Sequence, residues 1–209
     1  MTIDIDDLMN SIMASLDRID FIKAEDIPNI DLYMDQVTTF MESRLRSTTR
    51  NPGEDKVITK TMINNYAKDN LLPPPVKKKY SKEHMYVIIL IYYFKNVLSI
   101  SDINAVLKPI KEQFFDSDGG YKVEDIYESI RKVSETLTDD IKEDLLATYR
   151  TASEIFPETE GDESEILTMF SFITLLVLDI YVKKLLIEKL IDGYSAKLEK
   201  LQVEEEDDK

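Results

Sequence analysis

The chain contains no cysteine, one histidine and only five glycines among its 209 residues. The missing cysteines exclude disulfides, thiolate metal sites and cysteine nucleophiles. With His84 as the sole histidine, a zinc site or a nucleophile–histidine relay has too few parts. The shortage of glycine removes the punctuation that many short strands need, so the composition reads as mainly helical. No glycine-rich loop suited to cradling phosphate is seen. The opening MTIDIDDLMN has no positive start before an apolar run and is not expected to be a secretory signal. A cytoplasmic protein is the expectation, with no catalytic residues, metal or cofactor.

What is present is charge. The formal net charge is −15, from 26 basic and 41 acidic residues. Residues 44–82 hold ten of the basic residues against three acids (Glu54, Asp55 and Asp69), so that window is +7 and the remainder is −22. A uniformly acidic surface repels nucleic acid, whereas a local cluster of lysines can neutralise phosphates. The position of the charge therefore says more than its total.

Apolar periodicity divides the rest of the chain. Residues 4–20 carry Ile5, Leu8, Met9, Ile12, Met13, Leu16 and Ile19 at steps of three and four, the period of an amphipathic helix. A second helix is expected over residues 34–45, followed by a polar loop broken at Pro52-Gly53. A short helix over residues 60–70 comes next, with Thr59 as its N-cap and Met62, Ile63 and Tyr66 facing inward. Asn70 sits where it ends, in a position that suits a left-handed backbone. Pro73, Pro74 and Pro75 forbid further helix. If residues 76–80 are extended, Lys77 and Lys79 share one face and Lys78 takes the other.

Ser81 caps a largely apolar helix over residues 82–98, the expected central strut, with His84 near the surface in its first turn. Ser99 and Asp102 have capping-box spacing for the next helix. Residues 116–120, DSDGG, form the clearest loop and a sensible boundary. Counted from Asp116, positions five, six and twelve of a calcium loop fall on Gly120, Tyr121 and Tyr127, so calcium is not expected. Three helices are read beyond it: residues 122–137, 139–155 with Thr138 as cap, and 163–201.

The most apolar run is residues 166–182. It has 13 residues before Asp179 interrupts, and Lys183 and Lys184 follow it. A spanning helix needs about 20 apolar residues. A buried core helix or a dimer helix is expected in place of a membrane span.

The segment from Asn65 through Tyr66, Ala67, Lys68, Asp69, Asn70, Leu71, Leu72, Pro73 and Pro74, followed by Tyr80-Ser81, resembles the DNA-binding domain of MerR-type regulators. In that family the recognition helix ends in a Tyr-Tyr-Glu-x-x-Gly-Leu-Leu-x-Pro run, and a basic wing and a Tyr-Ser helix start follow. Tyr66 matches the second tyrosine, Leu71-Leu72 the leucine pair and Ser81 the following cap. Asn70 replaces the glycine, Ala67 the glutamate, and Asn64 and Asn65 an arginine and a tyrosine. The wing is about four residues shorter. A closer resemblance, from Ile27 to about Leu107, is to a bacterial domain-of-unknown-function family, number 1836. It rests on IPNIDLYMDQV, ITKTMINNYAKDNLLPPPVKKKYS and LSISDI. That resemblance implies a helix-turn-helix-like protein.

The expected architecture is mainly α. It comprises an amphipathic helix at 1–26, a MerR-like winged helix-turn-helix domain at 27–107, a helical dimerisation or effector domain at 121–201 and an acidic disordered tail at 202–209. The expected function is that of a DNA-binding transcriptional regulator. It would bind duplex DNA as a homodimer, with room for a small-molecule effector. Thr59, Lys60, Thr61, Asn64, Asn65 and Lys68 on the short helix are the candidate DNA contacts, with Lys77, Lys78, Lys79 and Tyr80 on the wing. Asparagine can pair with adenine in the major groove, and lysine reaches guanine or phosphate. The alternative is a non-enzymatic protein-interaction module that keeps the fold without binding DNA.

Overall fold

The computed structural model describes residues 5–16 and 21–207. Ile19 of the first expected helix and the last two residues of the acidic tail lie outside them. Among the described residues the protein is mainly helical, with a single two-stranded sheet. In chain order the elements are α1 (Ile5–Leu16), β1 (Leu32–Tyr33), α2 (Met34–Leu45), α3 (Lys60–Lys68), β2 (Lys79–Tyr80), α4 (Lys82–Phe94), α5 (Ile100–Phe114), α6 (Val123–Ser153) and α7 (Gly161–Asp207). They divide into two compact units, residues 22–131 with 191–209, and residues 1–21 with 132–190.

In the unit of residues 22–131, α4 is the strut. It buries His84, Met85, Tyr86, Val87, Ile88, Ile89, Ile91 and Tyr92. A helix apolar on nearly every side must be covered on nearly every side. Val37, Met41 and Leu45 of α2 cover it, joined in one cluster by Ile63 and Tyr66 of α3, Ile103 and Leu107 of α5, and Val123 and Tyr127 of α6. Ile88 is fully buried there, and truncating such a side chain to alanine typically costs about 2–5 kcal/mol. Polar bonds tie the ends of the unit together. Tyr127 donates its hydroxyl to the carbonyl of Ile22 at 2.6 Å, and Glu128 Oε1 accepts from the Ala24 N–H at 2.7 Å.

β1 pairs antiparallel with β2, with Leu32 opposite Tyr80 and Tyr33 opposite Lys79. Buried Leu32 and Tyr80 face the core, while Tyr33 is exposed. The long connection from α2 to α3 is held down by three contacts. Val57 donates its N–H to Glu42 Oε1 at 3.0 Å, Lys95 Nζ donates to the Val57 carbonyl at 2.8 Å, and the Thr48 and Tyr92 hydroxyls meet at 2.7 Å.

Two expectations change here. His84 is buried, because its ring packs edge-on against Tyr80 and Phe115 while it serves as the third residue of the capping box that Ser81 begins. The helices expected at 122–137 and 139–155 are one helix, α6. Thr138 does not cap a new start; its hydroxyl bonds back to the Ser134 carbonyl at 3.5 Å, and no proline or glycine interrupts the turn.

The second unit contains α1, the later part of α6 and α7 as far as Leu190. Met9, Ala152 and Phe172 form its buried centre, flanked by Ile12, Leu145, Tyr149, Met169, Leu175 and Leu176. The Tyr149 and Phe172 rings meet edge to face at 5.4 Å. Gly161, at φ +61°, turns the chain into α7 in a left-handed conformation that glycine adopts without strain. Most of the apolar run at residues 166–182 is exposed, so its own unit does not bury it.

Candidate nucleic-acid interface

α3 is a short helix closed at both ends. Thr59 accepts from the Met62 N–H at 3.1 Å, as its N-cap position predicts. At the other end Asn70 is left-handed, with φ +56°. Its N–H bonds to the Ala67 carbonyl at 3.3 Å, and the Leu71 N–H bonds to the Tyr66 carbonyl at 2.8 Å. Those two bonds make a Schellman motif, which satisfies carbonyls that a helix end otherwise leaves open. Leu71 and Leu72 then enter the core.

A lysine from α5 completes this end. Lys111 Nζ donates to the carbonyl of Asn70, to that of Leu71 at 3.2 Å and to Asn104 Oδ1 at 3.3 Å. Burial pushes the Lys111 ammonium below the usual lysine range. No sequence signal marks it, because the contact joins residues 40 apart in the chain.

Between the caps, Ile63 and Tyr66 face the core, and Lys60, Thr61, Asn64, Asn65 and Lys68 are exposed. Lys60 forms an ion pair with Asp35 at the start of α2. Thr59 is half-buried, and its hydroxyl is engaged in the cap.

The wing is not an extended strand. Val76 and Lys79 exchange backbone hydrogen bonds at 3.1 and 3.0 Å, with Lys77 and Lys78 as a two-residue turn between them. Both turn residues are left-handed, at φ +50° and +65°. Left-handed geometry at both central positions is the signature of the type I′ hairpin turn, which favours Asn-Gly. The turn replaces the expected alternation, and both lysines stand exposed at its tip. Lys79, on the returning strand, holds its ammonium 5.2 Å from the centre of the Tyr33 ring. Tyr80 is buried in the core, edge-on to His84 at 5.6 Å, so it is not part of the exposed surface.

Ion pairs redistribute the basic window. Arg44 pairs with Asp26 at 3.0 Å, Arg46 with Glu42 at 2.7 Å and Lys82 with Glu124 at 2.9 Å, and Lys60 pairs with Asp35. All four acids lie outside residues 44–82. Among the described residues, Arg50, Lys56, Lys68, Lys77 and Lys78 have no ion-pair partner. The net charge of the window overstates its free charge, and the uncompensated part includes the end of α3 and the hairpin tip. Among the described residues no cluster of metal-ligating side chains occurs.

These features define a small helical domain with an exposed polar helix and a lysine-tipped hairpin. The family model described as Domain of unknown function (DUF1836) matches residues 22–130, more than half of the chain, and the protein belongs to that family. The matched span coincides with residues 22–131 of the first compact unit. No curated protein and no solved structure matches the chain.

Proposed function

We propose that residues 22–131 are a MerR-like winged helix-turn-helix domain and that the protein is a cytoplasmic transcriptional regulator, not an enzyme. It binds duplex DNA as a homodimer. The order β1, α2, α3, hairpin, β2, α4 supports this reading. The observation that carries it is the exposed face of α3 between two fixed caps. Asn64 and Asn65 are free to read base edges, and Lys68 reaches phosphate or guanine. Lys77 and Lys78 at the hairpin tip grip the backbone beside the groove, with Lys79 behind them. Thr59 acts through its cap and Tyr80 through the core, both as positioning residues.

A mobility shift with the gene's own upstream region, at low and moderate salt, tests the reading. A retarded band that weakens steeply with salt supports it. No band at low salt contradicts it. The second reading is a protein-interaction module, favoured by the net charge of −15 and by the four window cations already paired with acids. It predicts that absence of binding.

A further inference from the structure

α7 carries a surface that neither its own core nor the α3 face uses. Ile166, Phe170, Ile173, Val177, Ile180 and Ile187 recur at steps of four and three, and Lys184 takes the position left between the last two. That spacing is the a/d seam of a coiled coil, with Phe170, Val177 and Lys184 at a and the isoleucines at d. The six apolar residues are 36–68% exposed. The face of α7 turned to its own unit is a different one, made by Phe172 with Met169, Leu175 and Leu176. The seam ends where Ile191 is buried. From 166 to 187 it runs about 32 Å.

A helix lying on a bilayer or a globular core needs only the 3.6-residue period. A strict seven-residue repeat sustained over three heptads matches a partner helix with the same repeat. We infer that this seam is the self-association surface, on which a second copy lays its α7 parallel and in register as a two-stranded coiled coil. The inference rests on the homodimer reading above and supplies its contact.

Charge selects the direction. In a parallel pair each g residue faces the e residue five positions on in the other helix, and such pairs set orientation. Here Lys183 at g meets Glu188 at e of the second copy, twice by symmetry. No other e or g position between 166 and 187 is charged. Within its own helix Lys183 pairs with Asp179 at 2.7 Å, at a position off the seam. An antiparallel pair on the same seam sets Lys184 against Ile173 and Lys183 beside Leu176, where neither gains an acid from the second copy. Lys184 lies 3.7 Å from Glu188 of its own helix and, as the lone polar a residue, fixes the register. The helix is long and apolar enough to be considered for a bilayer. Its uncharged run, however, is 13 residues. That is about 20 Å, against a hydrocarbon core of about 30 Å.

The absence of native cysteine allows a direct test on the full chain. Ile173→Cys and Ile187→Cys, each the sole thiol, are oxidised in solution beside a Lys189→Cys control that lies off the seam. Light scattering of the wild type should give twice the chain mass. Both seam variants should become disulfide dimers well before the control does. Ile180→Glu should halve the mass with its far-UV circular dichroism unchanged. A monomeric wild type overturns the inference. So does cross-linking of Phe170→Cys with Ile187→Cys in mixed samples without self-linking, which reports an antiparallel pair. Flotation of the wild type with phosphatidylcholine vesicles assigns the stripe to lipid and overturns it as well. No DNA is present in these measurements, so their failure is distinct from failure of DNA binding.

Discussion

His84 joins the hairpin to the start of α4 through Pro74. The Ser81 N–H can only donate, and it lies 3.1 Å from His84 Nδ1, so Nδ1 accepts and Nε2 carries the proton. Nε2 then donates to the Pro74 carbonyl at 3.3 Å. One neutral tautomer thus caps α4 and holds the proline run that leads into the lysine tip.

Protonating His84 removes the acceptor for Ser81 and charges a buried ring. Burial holds its pKa below the usual histidine value, while the hydrogen bond to Pro74 and the carboxylates of Asp116 and Asp31 pull the other way. The folded value lies below the unfolded one, so the unfolded chain binds more protons between the two. This contribution to stability is complete above the unfolded pKa of about 6.5 and is lost as pH falls below it. Urea midpoints should therefore drop as the pH is lowered from about 6.5. His84→Gln keeps a capping acceptor and should flatten that part of the profile. A wild-type midpoint that stays constant as the pH is lowered contradicts the assigned tautomer.

Lys111 closes the end of α3 from α5. Lys111→Met keeps the aliphatic stem and removes the ammonium, leaving the carbonyls of Asn70 and Leu71 without this donor. The lysine is only half-buried, and water replaces part of what is lost. A destabilisation of about 1 kcal/mol is expected. Faster amide exchange at Leu71 and Leu72, just beyond α3, with the helix itself unchanged would locate it. Uniform exchange across the domain contradicts a local role.

The hairpin tip gives a prediction in which stability and binding move in opposite directions. Two lysines in left-handed conformations are strained where Asn-Gly is relaxed. The Lys77→Asn, Lys78→Gly variant should raise stability by about 1–2 kcal/mol. It should also weaken DNA binding, because it removes the two lysines proposed to contact phosphate. A more stable variant with unchanged affinity removes the hairpin from the interface.

What could be read in the sequence was local. Thr59, Ser81 and Ser99 announce helix starts through side chains that act within a few residues, and Asn70 announces an end by tolerating a left-handed backbone; each does so in the fold. The face of α3 follows from helical period alone. The contacts that hold that face in place join distant residues: Lys111 to Leu71, Tyr127 to Ile22 and Lys95 to Val57. No period or motif marks them. Thr138 has the chemistry of a cap in a context that continues the helix. The lysines at 77 and 78 adopt a turn that their own preferences disfavour, because Val76 and Lys79 must pair across it. The ion pairs of Arg44, Lys60 and Lys82 likewise depend on acids brought in from elsewhere, whereas Arg46 takes the acid one helical turn before it.

Asn64 and Asn65 should govern sequence preference. Replacing both by alanine should cost about 1–3 kcal/mol per lost bidentate pair on the specific site and little on random DNA. Competition binding against both sequences measures the difference. Equal losses on the two contradict base reading.

The most direct measurement is the salt dependence of affinity for the gene's own upstream DNA, by fluorescence anisotropy, for the wild type and for a Lys77→Ala, Lys78→Ala variant. Each lost phosphate contact lowers the slope of log affinity against log salt by about 0.9. A wild-type slope steeper than that of the variant by nearly 2 is expected. Equal slopes, or no binding by the wild type at low salt, contradict DNA recognition by α3 and its hairpin.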